Sequence, residues 1–195
     1  MDRIVSFINK YTYLSPAAAD FLMSNGKLQT FKKGDLFVKE NETKYSIGFI
    51  LEGLAAISIT KNKKSIILTK LIPPNHYIVG NKHIYSRKPS LETIQFLRKS
   101  EVYVINTFKA QMAVEKFREF NLIFHILKQK DLILYNHFVH LHKLHHTERL
   151  TYFFLHFPEF FGKLTVKELM SLMSLSNSRQ YYTSLKNYHI NSKKS

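Results

Sequence analysis

Two short stretches decide the fold, FKKGDLFV at 31–38 and FILEGLAAI at 49–57. Apolar residues in both flank a glycine, Gly34 or Gly53, where a tight turn between strands favours a positive φ. Similar short apolar or alternating runs, separated by turn residues, continue from Lys27 to Ile105. This spacing is typical of many short antiparallel strands, and we expect them to form a compact β-roll or barrel that protects the edges of the sheet.

After Ile105 the pattern becomes helical, and no Gly or Pro occurs from Phe120 to His146. At 1.5 Å per residue this interval predicts a helix of about 40 Å. It carries two apolar stripes, one with Leu127, Leu134, Phe138 and Leu141 and the other with Leu132, Tyr135 and Val139. So wide an apolar arc needs two partners, and we expect one side to contact the β-domain and the other a second copy of the chain. We assign the first stripe to the dimer interface; the alternative is a core helix within a monomer.

The segment 147–195 predicts a second, helical module. Thr165 and Glu168 have the spacing of a capping box, and a polar helix follows from Ser178. The intervening residues SLSN at 174–177 have turn chemistry. Helix, short turn and polar helix together outline a helix-turn-helix.

Composition narrows the function. The 195 residues include 29 Lys+Arg against 14 Asp+Glu, a formal charge of +15, which favours a polyanionic partner. The excess is +4 over 147–195 and +11 over 1–146, so charge alone does not locate the binding site. The absence of Cys excludes a disulfide scaffold, a thiolate nucleophile and a Cys-ligated cluster. No signal peptide, membrane span or catalytic motif stands out, so we expect a cytoplasmic protein that is not an enzyme and does not bind membranes.

Several segments resemble, in order, the β-roll signature of the Crp/Fnr family of bacterial transcription regulators. They are the two stretches quoted above, PNHYIVG at 74–80, KPS at 88–90 and SEVYVI at 100–105. The resemblance implies an α+β protein with an N-terminal double-stranded β-helix like a cyclic-nucleotide-binding domain (1–119), a dimerisation helix (120–146) and a C-terminal helix-turn-helix (147–195). It also implies a homodimer that binds DNA, in which an effector signal in the β-roll reaches the DNA-binding module.

The resemblance places the effector pocket at Gly80, Asn81, Lys82, Pro89 and Ser90. Members that bind cyclic AMP carry a Glu for the ribose after the glycine and an Arg for the phosphate about ten residues later. Here Asn81 follows the glycine, and Ser90 or Leu91 stands where the Arg is expected. We therefore expect no tight binding of cyclic AMP and assign no cofactor, while another small-molecule effector stays open.

The resemblance also assigns DNA contacts. Family recognition helices tend to read Ser-Arg-x-Thr-Val-x-Arg-x-Leu, and SRQYYTSL at 178–185 matches best when Tyr182 and Leu185 are the buried residues. The DNA-contacting residues are then Ser178, Arg179, Gln180 and Lys186.

Four features depart from the family pattern in this module. The turn is about two residues longer, Ser174 replaces a glycine, Ser184 replaces the second Arg, and no room for a complete wing remains before Ser195. The alternative function is an effector-binding or interaction protein of the same fold that has lost specific DNA binding.

Five histidines cluster near the end of the long helix: His137, His140, His142, His145 and His146. Pairs three or four residues apart on a helix can hold a transition metal, or can make the helix sensitive to pH. Because no Cys and few carboxylates are near, we assign no metal site.

Overall fold

The computed structural model describes residues 2–61 and 65–192. The strands are β1 (Gly26–Phe31), β2 (Leu36–Val38), β3 (Ser46–Glu52), β4 (Ala55–Lys61), β5 (Ser65–Ile72), β6 (Tyr77–Val79), β7 (Thr93–Phe96) and β8 (Ser100–Asn106). The helices are α1 (Asp2–Asn9), α2 (Pro16–Asn25), α3 (Thr107–Lys116), α4 (Arg118–Lys143), α5 (His146–His156), α6 (Val166–Leu172) and α7 (Ser178–Ser192), with a 3₁₀ turn at Pro158–Phe160. The order confirms strands between Lys27 and Ile105 that are followed by helices.

The strands form two four-stranded sheets, in the orders β1-β8-β3-β6 and β2-β7-β4-β5. The registered pairs are antiparallel, as the short spacing predicts. The turns between the strands follow the sequence: φ is +95° at Gly34, +98° at Gly53 and +65° at Asn41. A Cβ at Gly53 would also overlap Ser100, so this position needs glycine for its conformation and for space.

The chain divides into two compact units, one of residues 1–59 and 71–132 and the other of residues 60–70 and 133–195. Two apolar clusters build the first unit. The facing sides of the two sheets enclose one of them, which includes Phe37, Ile50, Ile78, Phe96 and Val102. The other joins the outer face of the β8-containing sheet to α1, α2, α3 and the start of α4, through residues such as Phe7, Leu22, Tyr103, Ile123 and Leu127.

The second unit has an aromatic core from α4, α5 and the 3₁₀ turn. Phe138 and Phe157 stack at 5.4 Å, and Phe153 lies 6.1 Å from Phe160. The outer part of the β4–β5 hairpin belongs to this unit. There the Ser171 hydroxyl of α6 donates to the carbonyl of Ile66 at 3.2 Å and accepts from the Leu68 amide at 3.0 Å. A side chain of α6 thus satisfies backbone groups of β5, the last strand of its sheet.

The long helix is shorter than predicted and faces the other way. It spans 26 residues and ends at Lys143, three residues before His146. The four residues assigned to the dimer interface are buried within the single chain: Leu127 is 1% exposed, Leu134 6%, Phe138 2% and Leu141 0%. That assignment was wrong, because side chains already enclosed by their own chain cannot contact a partner. The exposed apolar residues of α4 are Leu122, Leu132, Ile133 and Tyr135, two of them from the second predicted stripe.

Candidate nucleic-acid interface

Helix α6 begins where the capping box was predicted. The Thr165 side chain accepts from the Glu168 amide at 3.2 Å, and the Glu168 carboxylate accepts from the Thr165 amide at 2.9 Å. These reciprocal bonds satisfy two amides that lack partners at a helix start. Leu169 and Leu172 are the buried residues of this helix and form its inner side.

Five residues, 173–177, connect α6 to α7. Ser174 has a φ of +52°, so a serine occupies the left-handed conformation that the family's glycine would adopt easily. Asn177 caps α7, because its Oδ1 accepts from the Gln180 amide at 3.0 Å. The Gln180 Oε1 in turn accepts from the amide of Ser176 at 2.8 Å and from its hydroxyl at 3.0 Å. The long turn is therefore a closed set of hydrogen bonds.

The inner face of α7 packs against α5. Tyr181 is 7% exposed, and the Ser184 hydroxyl lies 2.7 Å from the carbonyl of His146 and 2.9 Å from that of Gln180. Tyr188 continues this face and lies 5.3 Å from Phe154. Ser184 is completely buried, which explains why a long cation does not occupy this position in this chain.

The outer face of α7 carries a row of exposed side chains. Ser178, Arg179, Tyr182, Thr183, Lys186 and His189 are all exposed. Three of the predicted DNA-contacting residues, Ser178, Arg179 and Lys186, lie in this row, but Gln180 is half-buried and bonded to the turn. The match to the family pattern predicted that Tyr182 is buried. In the structure Tyr182 is 62% exposed, and its neighbour Tyr181 is buried instead.

Arg149 of α5 bonds to the C-terminal ends of two other helices, α4 and α6. Its Nε donates to the carbonyl of Leu144 at 3.0 Å, and its Nη2 donates to that of His142 at 3.2 Å. Its Nη1 donates to the carbonyl of Met173, the residue that caps α6. Burial lowers the pKa of the guanidinium, which nevertheless stays charged. This side chain ties α6 to the end of α4, a role that no motif in the sequence indicates.

The predicted effector residues lie in the loop after β6, which bonds within itself and also, through the backbone of Ser90, to Asn41 and Glu42. Asn81 is buried, and its Nδ2 donates to the carbonyl of Ser86. The Lys82 amide donates to the carbonyl of Lys88 at 3.1 Å, while Pro89 is exposed. The Ser90 hydroxyl donates to the carbonyl of Glu92 at 2.7 Å.

Gly80 has a separate structural role beside Lys44. A Cβ there would overlap the Lys44 backbone, whose amide donates to the Gly80 carbonyl at 2.8 Å. The Lys44 ammonium turns toward Phe37, 4.3 Å from the ring centre and 3.0 Å from the carbonyl. Burial lowers the pKa of Lys44. The space between the two sheets is otherwise filled with bulky apolar side chains.

The histidines separate into different surroundings. His137 and His140 of α4 meet Tyr152 and His156 of α5, with the His137 and His156 rings 4.7 Å apart. Burial, and then the charges of His137 and His140, lower the pKa of His156. His142 instead approaches the carbonyl of Thr69 at 3.3 Å. Within residues 2–61 and 65–192, no three His, Cys, Asp or Glu side chains form a group suited to a metal ion.

No protein-family model matches the sequence, and no curated protein matches it significantly. Solved structures match the fold. FixK2 from Bradyrhizobium japonicum superposes with a TM-score of 0.66 at 12% identity, over 86% of this chain and 86% of its own. The c-di-GMP-responsive global regulator CLP of Xanthomonas campestris gives 0.66 at 10% identity, over 91% and 93%. A cyclic nucleotide-binding domain from Methylobacillus flagellatus gives 0.54 at 13%, over 68% and 75%.

These similarities establish the class of fold. The chain has the mixed helix and antiparallel-sheet fold that a cyclic nucleotide-binding domain and bacterial regulators share, so that part of the predicted fold class is confirmed. In the part of the chain that the structure describes, no helix combines the length and apolar content that a bilayer span requires.

Proposed function

We propose that this chain is a DNA-binding transcriptional regulator of the Crp/Fnr type. It acts as a homodimer, and an effector signal in the β-roll is coupled through α4 to α6 and α7. The fold shared with CLP and FixK2 supports the class of regulator. The outer face of α7 supports the mode of action and carries the proposal.

Charge favours the second unit as the site of DNA binding. The second unit holds 12 Lys+Arg against 3 Asp+Glu, a formal charge of +9 out of +15 in fewer than half of the residues. Four of these positive charges are lysines of residues 60–70, which belong to the second unit although they lie far from α7 in sequence. The net charge of residues 147–195 alone therefore understates the charge of the unit. Phosphates neutralised by Arg179 and Lys186 would release counterions and drive association.

The proposed dimer uses the exposed side of α4. Leu122 and Leu132 are each 48% exposed, Ile133 is 59% and Tyr135 is 53% exposed. Large apolar side chains in such numbers on one helix gain most by contact with a matching helix. The signal that the β-roll receives is an effector other than cyclic AMP, because Asn81 and Ser90 stand where a carboxylate for the ribose and a guanidinium for the phosphate are expected.

Salt-dependent binding to duplex DNA tests the proposal. Fluorescence anisotropy with a labelled duplex of mixed sequence, at several salt concentrations, gives the slope of log K against log salt. We expect the variants Arg179→Ala and Lys186→Ala each to weaken binding and to reduce the slope by about one unit. Lys109→Ala is the matched control, since this exposed lysine lies on α3 in the first unit.

Competition by unrelated sequences separates the two candidate functions. A regulator binds a sequence enriched from a random duplex library at least about 1000-fold more tightly than unrelated DNA. A protein that enriches no sequence, and loses no more affinity in Arg179→Ala than in Lys109→Ala, is instead the alternative, an interaction protein of this fold.

A further inference from the structure

We infer that Tyr182 is a specificity-determining residue that reads a thymine in the major groove, a position in the interface that sequence matching did not assign to it. This inference rests on the proposed function and names the chemistry of one contact within it. It follows from two observations on α7: the side chain of Gln180 is hydrogen-bonded to Ser176, and the side chain of Tyr182 is exposed.

Gln180 cannot read a base in the usual way. A glutamine recognises adenine by using its amide oxygen and nitrogen together on N6 and N7. Here the Oε1 already accepts two hydrogen bonds from Ser176, and the backbone amide is bonded to Asn177. Turning this side chain toward DNA would break both bonds from Ser176, which close the turn before α7. The base-reading row therefore begins at Arg179 and continues without Gln180.

Tyr182 occupies the next place in that row. It lies three residues after Arg179 and four before Lys186, so the three side chains share one face of the helix. Its ring packs edge-to-face on buried Tyr181 at 5.4 Å, and this contact supports the ring while 62% of the residue stays exposed. An aromatic ring held by a buried neighbour between two cations is preorganised to meet a surface.

The surroundings of Tyr182 indicate an apolar target. Together with Leu185, Lys186, His189 and Ile190 it lines a groove of about 380 Å³ that is mostly apolar. Among the groups that bases present in the major groove, only the C5 methyl of thymine is apolar. The ring can pack on that methyl while its hydroxyl bonds to the O4 of the same thymine or the N6 amine of its adenine partner. Arg179, one turn earlier, reaches a guanine or a phosphate beside it.

Selection from a random duplex library tests this contact. The full-length wild-type protein is expected to enrich a site with an invariant A·T pair next to the base pair that Arg179 contacts. We expect Tyr182→Ala to enrich the same site without preference at the A·T pair, and Tyr182→Phe to keep the preference for thymine. Leu155→Ala, a residue 73% exposed on α5, is the matched control and should enrich the wild-type site. Thermal unfolding of each variant checks that the fold is retained.

Replacing that thymine by deoxyuridine removes only the methyl group. Wild-type protein should bind the substituted duplex about 3- to 10-fold more weakly, whereas Tyr182→Ala should bind both duplexes equally. If the wild type enriches a site and Tyr182→Ala enriches the same one with the same A·T preference, the inference is overturned and the regulator stands. If the wild type enriches no sequence, the proposed function fails, so the two failures are distinct.

Discussion

Arg149 shows how one side chain can hold a junction together. Its guanidinium bonds to carbonyls of His142, Leu144 and Met173 at the ends of α4 and α6, where intrahelical donors run out. The planar fork of Arg suits three acceptors in different directions, and Lys could not reach them all. The position of α6, and with it α7, depends on these bonds.

Arg149→Ala should lower the free energy of unfolding by about 2–4 kcal/mol, because three carbonyls lose a charged donor in a half-buried site. Urea unfolding followed by circular dichroism measures the change. Arg179→Ala removes the same side chain from an exposed position and should change stability by less than about 0.5 kcal/mol. Equal losses in the two variants would show that the Arg149 bonds contribute nothing measurable.

The histidine and tyrosine rings at the junction of α4 and α5 predict a pH dependence. The pKa of His156 is lowered in the folded protein by burial first and then by His137 and His140. Burial also lowers the pKa of His142, and the charge of Arg149 adds to that effect. The unfolded chain therefore binds protons more readily than the folded one, and stability should fall as the pH drops below about 6.5.

Unfolding experiments at pH 7.5 and pH 5.5 measure this effect. The loss of stability between the two values should be smaller in the double variant His142→Gln and His156→Gln than in the wild type. A matched control is His83→Gln, an exposed histidine in the first unit that should leave the loss unchanged. A double variant that loses as much stability on acidification as the wild type contradicts the prediction.

At the scale of elements, α4 shows what periodicity can and cannot predict. The sequence contains two apolar stripes; in the structure the residues of the first are buried, and Leu132 and Tyr135 of the second are exposed. Which stripe faces inward depends on residues more than 100 positions away, such as Ser15, whose hydroxyl donates to Glu119 at 2.5 Å and ties α2 to the start of α4. Helical spacing does not encode that contact. Local signals succeeded where the chemistry is local, as in the Thr165 capping box and the left-handed turns at Gly34 and Gly53.

The exposed stripe of α4 gives a test of dimer formation. Ile133→Glu should convert the proposed dimer to a monomer, because a carboxylate would be buried against an apolar partner surface. Analytical ultracentrifugation gives the mass. Leu155→Glu introduces the same charge at an exposed apolar position of α5 and should leave the dimer intact. If Ile133→Glu sediments as a dimer, this side of α4 is not the interface.

Helix α7 marks the limit of pattern matching within an element. Two adjacent tyrosines differ in exposure from 7% to 62%, and the family pattern assigned the burial to Tyr182 instead of Tyr181. The cause is the start of the helix: Asn177 and Gln180 set its first turn, and the phase of every later residue follows from it. In that phase Arg179 and Lys186, two residues that the sequence predicts to contact DNA, are exposed.

For the whole molecule, the sequence predicted a β-roll followed by helices, and the solved structures confirm that class of fold. The composition of the second unit was not predictable. Residues 60–70 join it through bonds from Ser171 and His142, which are separated from their partners by 73 to 105 positions. A unit defined as one continuous stretch of sequence cannot include residues 60–70, which precede the rest of the second unit by more than 60 positions.

The Ser171 contact has a consequence for anyone who wishes to isolate the second unit. A truncated gene that encodes only residues 133–195 would omit Ile66 and Leu68, leaving the Ser171 hydroxyl to solvent and uncovering the surface that buried Leu68 protects. The second unit is assembled from two separated pieces of the polypeptide, so it cannot be excised and transplanted as one continuous segment.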